Sequence, residues 1–387
     1  MGVALTVIDP VEAADWLLSP EAVRENCALI YQAGILGALS NFEVRPENLP
    51  IAAREVVDTI YSNYPTLVIP PHARWRHFVI DGRDRWLDFD RRVDLTTNER
   101  LRIRVELAVV SVLLDAGAGP KWHYSSPTTS RLLRRSEGLA IASLELFLAG
   151  GFSVDPDAPW RADAAGLTNF TVEDLISAFQ IGETNPLEGL EGRVGLLNNL
   201  GRVVAQRSDA FGVGQARLGC LADHFLAKAK SGRLPARTIL MTLLDVLGPI
   251  WPGRETLAGR NLGDTWRHPL AAEVGSKLNY VPFHKLSQWL TYSLFEPLEQ
   301  AGLEITQKEV LTGLAEYRNG GLFVDTGVLV IKDPSVREMS HEPASELIVE
   351  WRALTICLLD EIAIHVRRLL GLTSQQLPLV SVLEGGT

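Results

Sequence analysis

Lys285 and Gln288 stand three residues apart in the stretch from Tyr280 to Leu329, which is otherwise largely apolar. That spacing points both side chains to one face of a helix. After a second helical segment come Glu316, Tyr317 and Arg318, just before a Gly-Gly pair. Long charged or amide side chains are rarely placed in apolar surroundings unless they are paired or used, so the chemistry of the chain is expected here. A structural alternative is an ion pair of Glu316 with Lys285 tying two helices together, with Glu350 and Arg352 as satellites; such pairs are a poor source of stability. A second group of candidates lies earlier. Asp115 closes the apolar run LRIRVELAVVSVLL and is followed by a loop of alanines and glycines, then Trp122, His123 and Tyr124. Glycines there let backbone approach a ligand closely, which would make a pocket floor; the alternative is that Asp115 bonds its own backbone in a turn. A third group, His72, Trp75, His77 and Trp86 among four arginines, reads equally as a ligand wall or as a loop whose aromatics cap the core.

These residues must be held by helices. Apolar side chains recur at three- and four-residue spacing through residues 10–40 and again from Leu49 through Ile60, the pattern of amphipathic helices. Ser19-Pro20-Glu21 reads as an N-cap with proline in the first turn. The run ending at Leu114 reads as a buried central helix. Ser136–Phe147 reads as a helix capped by Ser136, and Thr171–Asp174 as a variant capping box. Helical patterning returns from Gly192 to Lys230, from Thr238 to Leu247 and from Ser345 to Leu370, whereas Leu322–Ile331 fits helix or strand. Phe78–Gly82 resembles a short strand and turn. Alternating strands are few. The expected fold is mainly α, one large helical domain over 1–387, in which residues 1–60 pack as N-terminal helices on a motif-bearing region spanning 61–375.

Composition narrows the function. A formal charge of -10 on 387 residues argues against nucleic-acid binding, which needs basic excess. Three distant cysteines imply no disulfide framework. The eight histidines show no zinc-like spacing and there is no HExxH, so no metal is expected. No GxSxG elbow or phosphate-binding GxxxxGK[ST] loop occurs, and no cofactor is implied. The acidic N-terminal segment lacks a basic signal-peptide region, and the longest apolar run is too short to span a bilayer. A cytoplasmic protein without nucleic-acid or membrane partners is expected.

The segments VSVLLDAGAGPKW, SEGLAIAS, NPLEGLEGR, VPFHKLSQWLTYSL, EYRNGGLFVDTGVL and EWRALTICLLDEI resemble the uracil catabolism protein four family of fungi and bacteria. The chain is also distantly similar to the queuosine salvage proteins, N-glycosidases that release queuine from queuosine 5′-phosphate. Pro282, Phe283, His284, Lys285 and Gln288 resemble their PF-aromatic-K-x-x-Q segment. Ala315, Glu316, Tyr317 and Arg318 resemble their A-D-Y-R segment, and Glu350-Trp351-Arg352-Ala353 their E-I-R-A helix. Leu114-Asp115 with Trp122 looks like their LDxLNFxFW segment. The position of that family's catalytic aspartate holds Glu316, and the Asn-Phe pair and second aromatic before the tryptophan, whose aromatics help surround queuine, are replaced by Ala118, Gly119 and Lys121, which implies another leaving group.

The resemblance implies a DNA-glycosylase-like helical architecture and hydrolysis of an N-glycosidic bond in a ribonucleoside 5′-phosphate or ribosylurea-type intermediate. Glu316 would stabilise oxocarbenium-like charge on the ribose, and Lys285 would keep it ionised or meet the ribose hydroxyls or phosphate. Arg318, His284 and Arg352 would be phosphate ligands. Trp122, with Trp75 or Trp86, would stack on the base, and Asp115 would hydrogen-bond the base or urea. Gln288, Tyr317 and Glu350 complete the expected substrate-binding set. Alternatives are a non-catalytic nucleotide sensor, or an amidohydrolase acting on a ureido intermediate.

Overall fold

Proline and small polar residues start helices where the sequence suggests. In the computed structural model, which describes residues 9–127, 131–214, 216–273 and 278–386, the Ser19 hydroxyl accepts the Ala22 amide at 3.2 Å, and Pro20 opens the Pro20–Ile35 helix. Thr171 and Asp174 form a reciprocal capping box on Val172–Ala178. Ser136 departs from expectation. The helix runs Arg135–Leu148 with Arg134 at its cap position, and the Ser136 hydroxyl instead donates to Asp115 Oδ1 at 3.2 Å. Helix dominates throughout, and each described strand is short and belongs to a two-stranded pairing. The protein is mainly α.

Contacts divide the chain into two compact units, Met1–His72 with Gly253–Trp289 and Gln307–Thr387, and Ala73–Pro252 with Leu290–Thr306. The second is built around the Thr97–Leu114 helix, buried almost continuously from Ile103 to Leu114. Its flanking helices are Arg135–Leu148, Leu190–Gln206 and Cys220–Lys228. The helical pattern read from Gly192 to Lys230 is thus interrupted, with Gly212 at φ 80° closing the short Ser208–Phe211 helix. A fully buried carboxylate sits mid-core. Glu106 receives both Arg217 Nε and Nη2, at 2.7 and 2.8 Å, and the Gly219 amide at 2.9 Å. Burial pushes this carboxyl upward against the Arg217 charge that favours its ionised form. Removing Arg217 alone would strand the charge at a cost of about 3–5 kcal/mol.

The first unit is organised on the 25-residue Glu346–Leu370 helix, whose apolar face includes Val349, Ala353, Ile356, Leu359 and Ile362. Pro20–Ile35, Leu49–Asn63 and Tyr317–Asp325 pack along it. Tyr317–Asp325 comes close because Gly320 has no side chain. A Cβ there would lie 2.7 Å from the Trp351 ring. Gly320 therefore permits contact, and the Gly-Gly pair lies inside the helix without breaking it. Leu322–Ile331 proves to be both element types: the helix ends at Asp325, Gly327 turns at φ 70°, and Leu329–Ile331 pairs antiparallel with Phe42–Val44. A second antiparallel pair, Thr265–Arg267 with Tyr280–Pro282, delivers the residues described next. Among the described residues no helix is long and apolar enough to cross a membrane.

Candidate functional site

The Tyr280–Pro282 strand becomes the Lys285–Gln300 helix within two residues, and that turn builds the site. His284 makes the bend in the left-handed region, φ 48°, a conformation in which His is among the enriched non-glycine residues. The Asp264 carbonyl accepts the Phe283 amide at 2.9 Å, and Asp264 Oδ2 accepts the Lys285 amide at 3.1 Å, so one residue holds the helix start. The same carboxylate takes a two-pronged bond from Arg352, Nη1 to Oδ1 at 2.8 Å and Nη2 to Oδ2 at 2.6 Å, and the Trp266 indole N–H at 2.8 Å. The Arg352 guanidinium lies 4.1 Å from the centre of the Phe283 ring. Burial alone would raise the Asp264 carboxyl. The adjacent Arg352 charge and its hydrogen bonds, with those from Trp266 and the Lys285 amide, outweigh that and hold it well below the usual carboxylate range.

One turn into the helix, Gln288 is fully buried. Its Oε1 accepts the Thr312 amide at 2.8 Å, and its Nε2 donates to Thr312 Oγ1 at 2.8 Å and to the Phe283 carbonyl at 3.0 Å. Thr312 lies four residues before Glu316, so this clamp fastens the segment delivering Glu316 to the turn delivering Lys285. Glu316 caps the Tyr317–Asp325 helix, its Oε1 accepting the Asn319 amide at 2.8 Å. Glu316 and Lys285 are both half-buried. No ion pair joins them among the described residues; Gln288 makes the tie that the sequence suggested for that pair.

Other expected residues fall differently. Gln288, expected to bind substrate, has its amide engaged by the protein on both sides. His284 is 1% exposed and its Nε2 meets the Leu17 carbonyl at 2.7 Å; burial lowers its pKa, so it holds the turn as a neutral imidazole and brings no positive charge to a phosphate. Arg352 spends its guanidinium fork on Asp264. Glu350 is fully buried and accepts the Ser40 and Asn41 amides, each at 3.1 Å. Tyr317 is 67% exposed and Arg318 is exposed beside it.

Asp115, Trp122, Trp75 and Trp86 belong to the second unit. There Asp115 is ion-paired with the buried Arg74. Trp122 is a core residue: it is 1% exposed, donates its indole N–H to the Phe179 carbonyl at 3.0 Å, and packs against Tyr124 and Phe179. Trp75, also buried, donates to the Ser293 carbonyl at 2.7 Å, meets Trp86 edge-on and lies under the Arg104 guanidinium at 4.4 Å. The aromatics expected as a stacking wall are buried with their rings packed on protein, and Trp75 and Trp122 also spend their indole N–H groups on backbone carbonyls.

Sequence reasoning missed Asp264. It lies in Gly263-Asp264-Thr265-Trp266, a stretch that reads as loop, and its partner Arg352 is 88 residues away. The available signal was an acid two residues before a tryptophan, which is weak.

Residues 16–387 match the family described as "Protein of unknown function (DUF1688)", and the chain belongs to that family. Among relatives, "Protein urg3" of Schizosaccharomyces pombe is 38% identical, over 96% of this chain and 91% of its own. "Uracil catabolism protein 4" of Lachancea kluyveri is 36% identical, over 76% of this chain and 73% of its own.

Proposed function

We propose that the protein acts in uracil catabolism by hydrolysing the N-glycosidic bond of a ribonucleoside 5′-phosphate or ribosylurea-type intermediate. The pathway is carried over from the name of the Lachancea kluyveri relative. The chemistry is supported chiefly by the Gln288–Thr312 clamp, which fastens the Lys285 turn to the segment carrying Glu316. In this reading the bond from C1′ to nitrogen breaks with its electron pair leaving on nitrogen. Positive charge then develops on the ribose, and Glu316 stabilises it electrostatically. Water adds at C1′, and its proton goes to the departing nitrogen or to Glu316. Glu316 is suited to this because one oxygen is fixed by the Asn319 amide while the residue stays half-buried. Lys285, whose ammonium has no ion-pair partner among the described residues, supplies the positive charge for ribose hydroxyls or phosphate. Arg318, one residue into the helix that Glu316 caps, adds a fork of donors for phosphate.

The test is incubation with a panel of nucleosides and 5′-monophosphates, ribosylurea forms included, scored by mass spectrometry. Release of ribose or ribose 5′-phosphate supports the proposal. Binding with every sugar bond intact would make the protein a sensor, and released ammonia with the sugar bond intact would make it an amidohydrolase.

A further inference from the structure

His268 is fully buried, yet neither of its ring nitrogens has a hydrogen-bond partner among the described residues. An imidazole in that state loses its hydration without replacement, a cost that folded proteins normally avoid. Its Nε2 faces Glu350 Oε1 at 3.6 Å. That is well beyond the ~2.7–2.9 Å of a charge-assisted hydrogen bond. Glu350 is itself fully buried. Glu346 lies one helical turn earlier on the same face, exposed to solvent, and one donor atom from each of the three residues lies within 4.8 Å of the others.

We propose that His268, Glu346 and Glu350 bind a divalent first-row transition cation, of the zinc or manganese kind. Four ligands around a cation at ~2.1 Å stand about 3.4 Å from one another, and the 3.6 Å between His268 and Glu350 is close to that edge. An imidazole nitrogen with two carboxylates is a mixed, borderline-hard donor set, which suits zinc, manganese or ferrous ion better than calcium or magnesium. Two carboxylates neutralise a divalent charge, and the third donor is neutral imidazole. Supporting bonds are in place. The Ser40 and Asn41 amides orient the Glu350 carboxylate, and the His268 amide bonds the Asn279 carbonyl at 2.9 Å, the kind of outer contact that fixes ligands. Glu346, being exposed, can swing inward and gives the ion its entry from solvent. The cation would pin the turn after Thr265–Arg267 to the first turns of the Glu346–Leu370 helix. The sequence hides this site, because His268 stands 78 residues before Glu346 and no local histidine motif marks it.

The full-length protein, stripped with chelator and desalted, is titrated calorimetrically with Zn2+, Mn2+, Co2+ and Mg2+, and bound metal is counted by elemental analysis. The expected result is one equivalent of a transition cation per chain, bound more tightly than Mg2+. His268→Ala should abolish binding. Glu346→Gln, an exposed change that the fold tolerates, should weaken it by roughly 10–100-fold with circular dichroism unchanged. No stoichiometric binding by the wild type would overturn the proposal. So would equal affinity in folded Glu346→Gln, which would mean an adventitious ion only.

Discussion

Replacing Gln288 by leucine tests the clamp on which the functional reading rests. Gln288, Phe283 and Thr312 are all fully buried, so no water can step in. Leucine keeps the approximate volume but removes three hydrogen bonds. The Thr312 amide loses its acceptor and the Phe283 carbonyl a donor, each unsatisfied group costing about 1–3 kcal/mol. Burying apolar leucine in place of an amide offsets about 1 kcal/mol, leaving a net loss of roughly 1–5 kcal/mol. In a cooperative unit of ~150–250 residues, each kcal/mol lowers Tm by about 2–4 °C, so calorimetry should show a fall of about 2–20 °C. Thr312→Val removes only the hydroxyl, and the double variant should therefore be less than additive by about 1 kcal/mol. Turnover of the variant should also drop at temperatures where it is still folded, because Lys285 and Glu316 lose their common tether. A Tm within about 1 °C of wild type, or additive effects in the double variant, would refute the clamp.

Other expectations follow from the same geometry. His284 has a lowered folded-state pKa, so as pH falls below about 6.5 the unfolded chain takes up the proton first and stability declines; His284→Asn should flatten Tm between pH 7.5 and 5 relative to wild type. Asp264, lowered by Arg352 against the opposing effect of burial, contributes fully above about pH 3.9 and loses its contribution only as pH drops below that. Asp264→Asn should therefore be destabilised at pH 6 and approach wild type in strong acid, as followed by urea unfolding. Trp122→Ala should cost about 3–5 kcal/mol of stability with KM unchanged in the folded fraction; a raised KM at intact stability would return Trp122 to the binding site. The Cys27 and Cys357 thiols are pushed up by burial, Cys357 to about 12, so both should label slowly with a thiol reagent until the protein is unfolded.

Much of the scaffold was legible because it is written locally. Ser19-Pro20, the Thr171–Asp174 box and the apolar run to Leu114 each specify their element within a few residues. The site was legible only in part. Local spacing flagged Gln288 as polar in apolar surroundings, which is correct, but a buried amide serves a long-range partner as readily as a ligand, and Thr312 is 24 residues away. Tryptophan is ambiguous for the same reason. Trp75 and Trp122 carry both an apolar face and an N–H, and only the fold shows that the Ser293 and Phe179 carbonyls take the N–H. Asp264 and His268 were invisible because their partners lie on a helix about eighty residues further on.

The central claim is that the Glu316 carboxylate carries the hydrolysis of a ribose–nitrogen bond. It is tested by measuring sugar release from the best substrate of the panel by wild type and Glu316→Gln, side by side with ligand affinity and Tm. Unchanged affinity and Tm with turnover lower by at least about a hundredfold is the predicted result; near-normal turnover by the folded variant would contradict it.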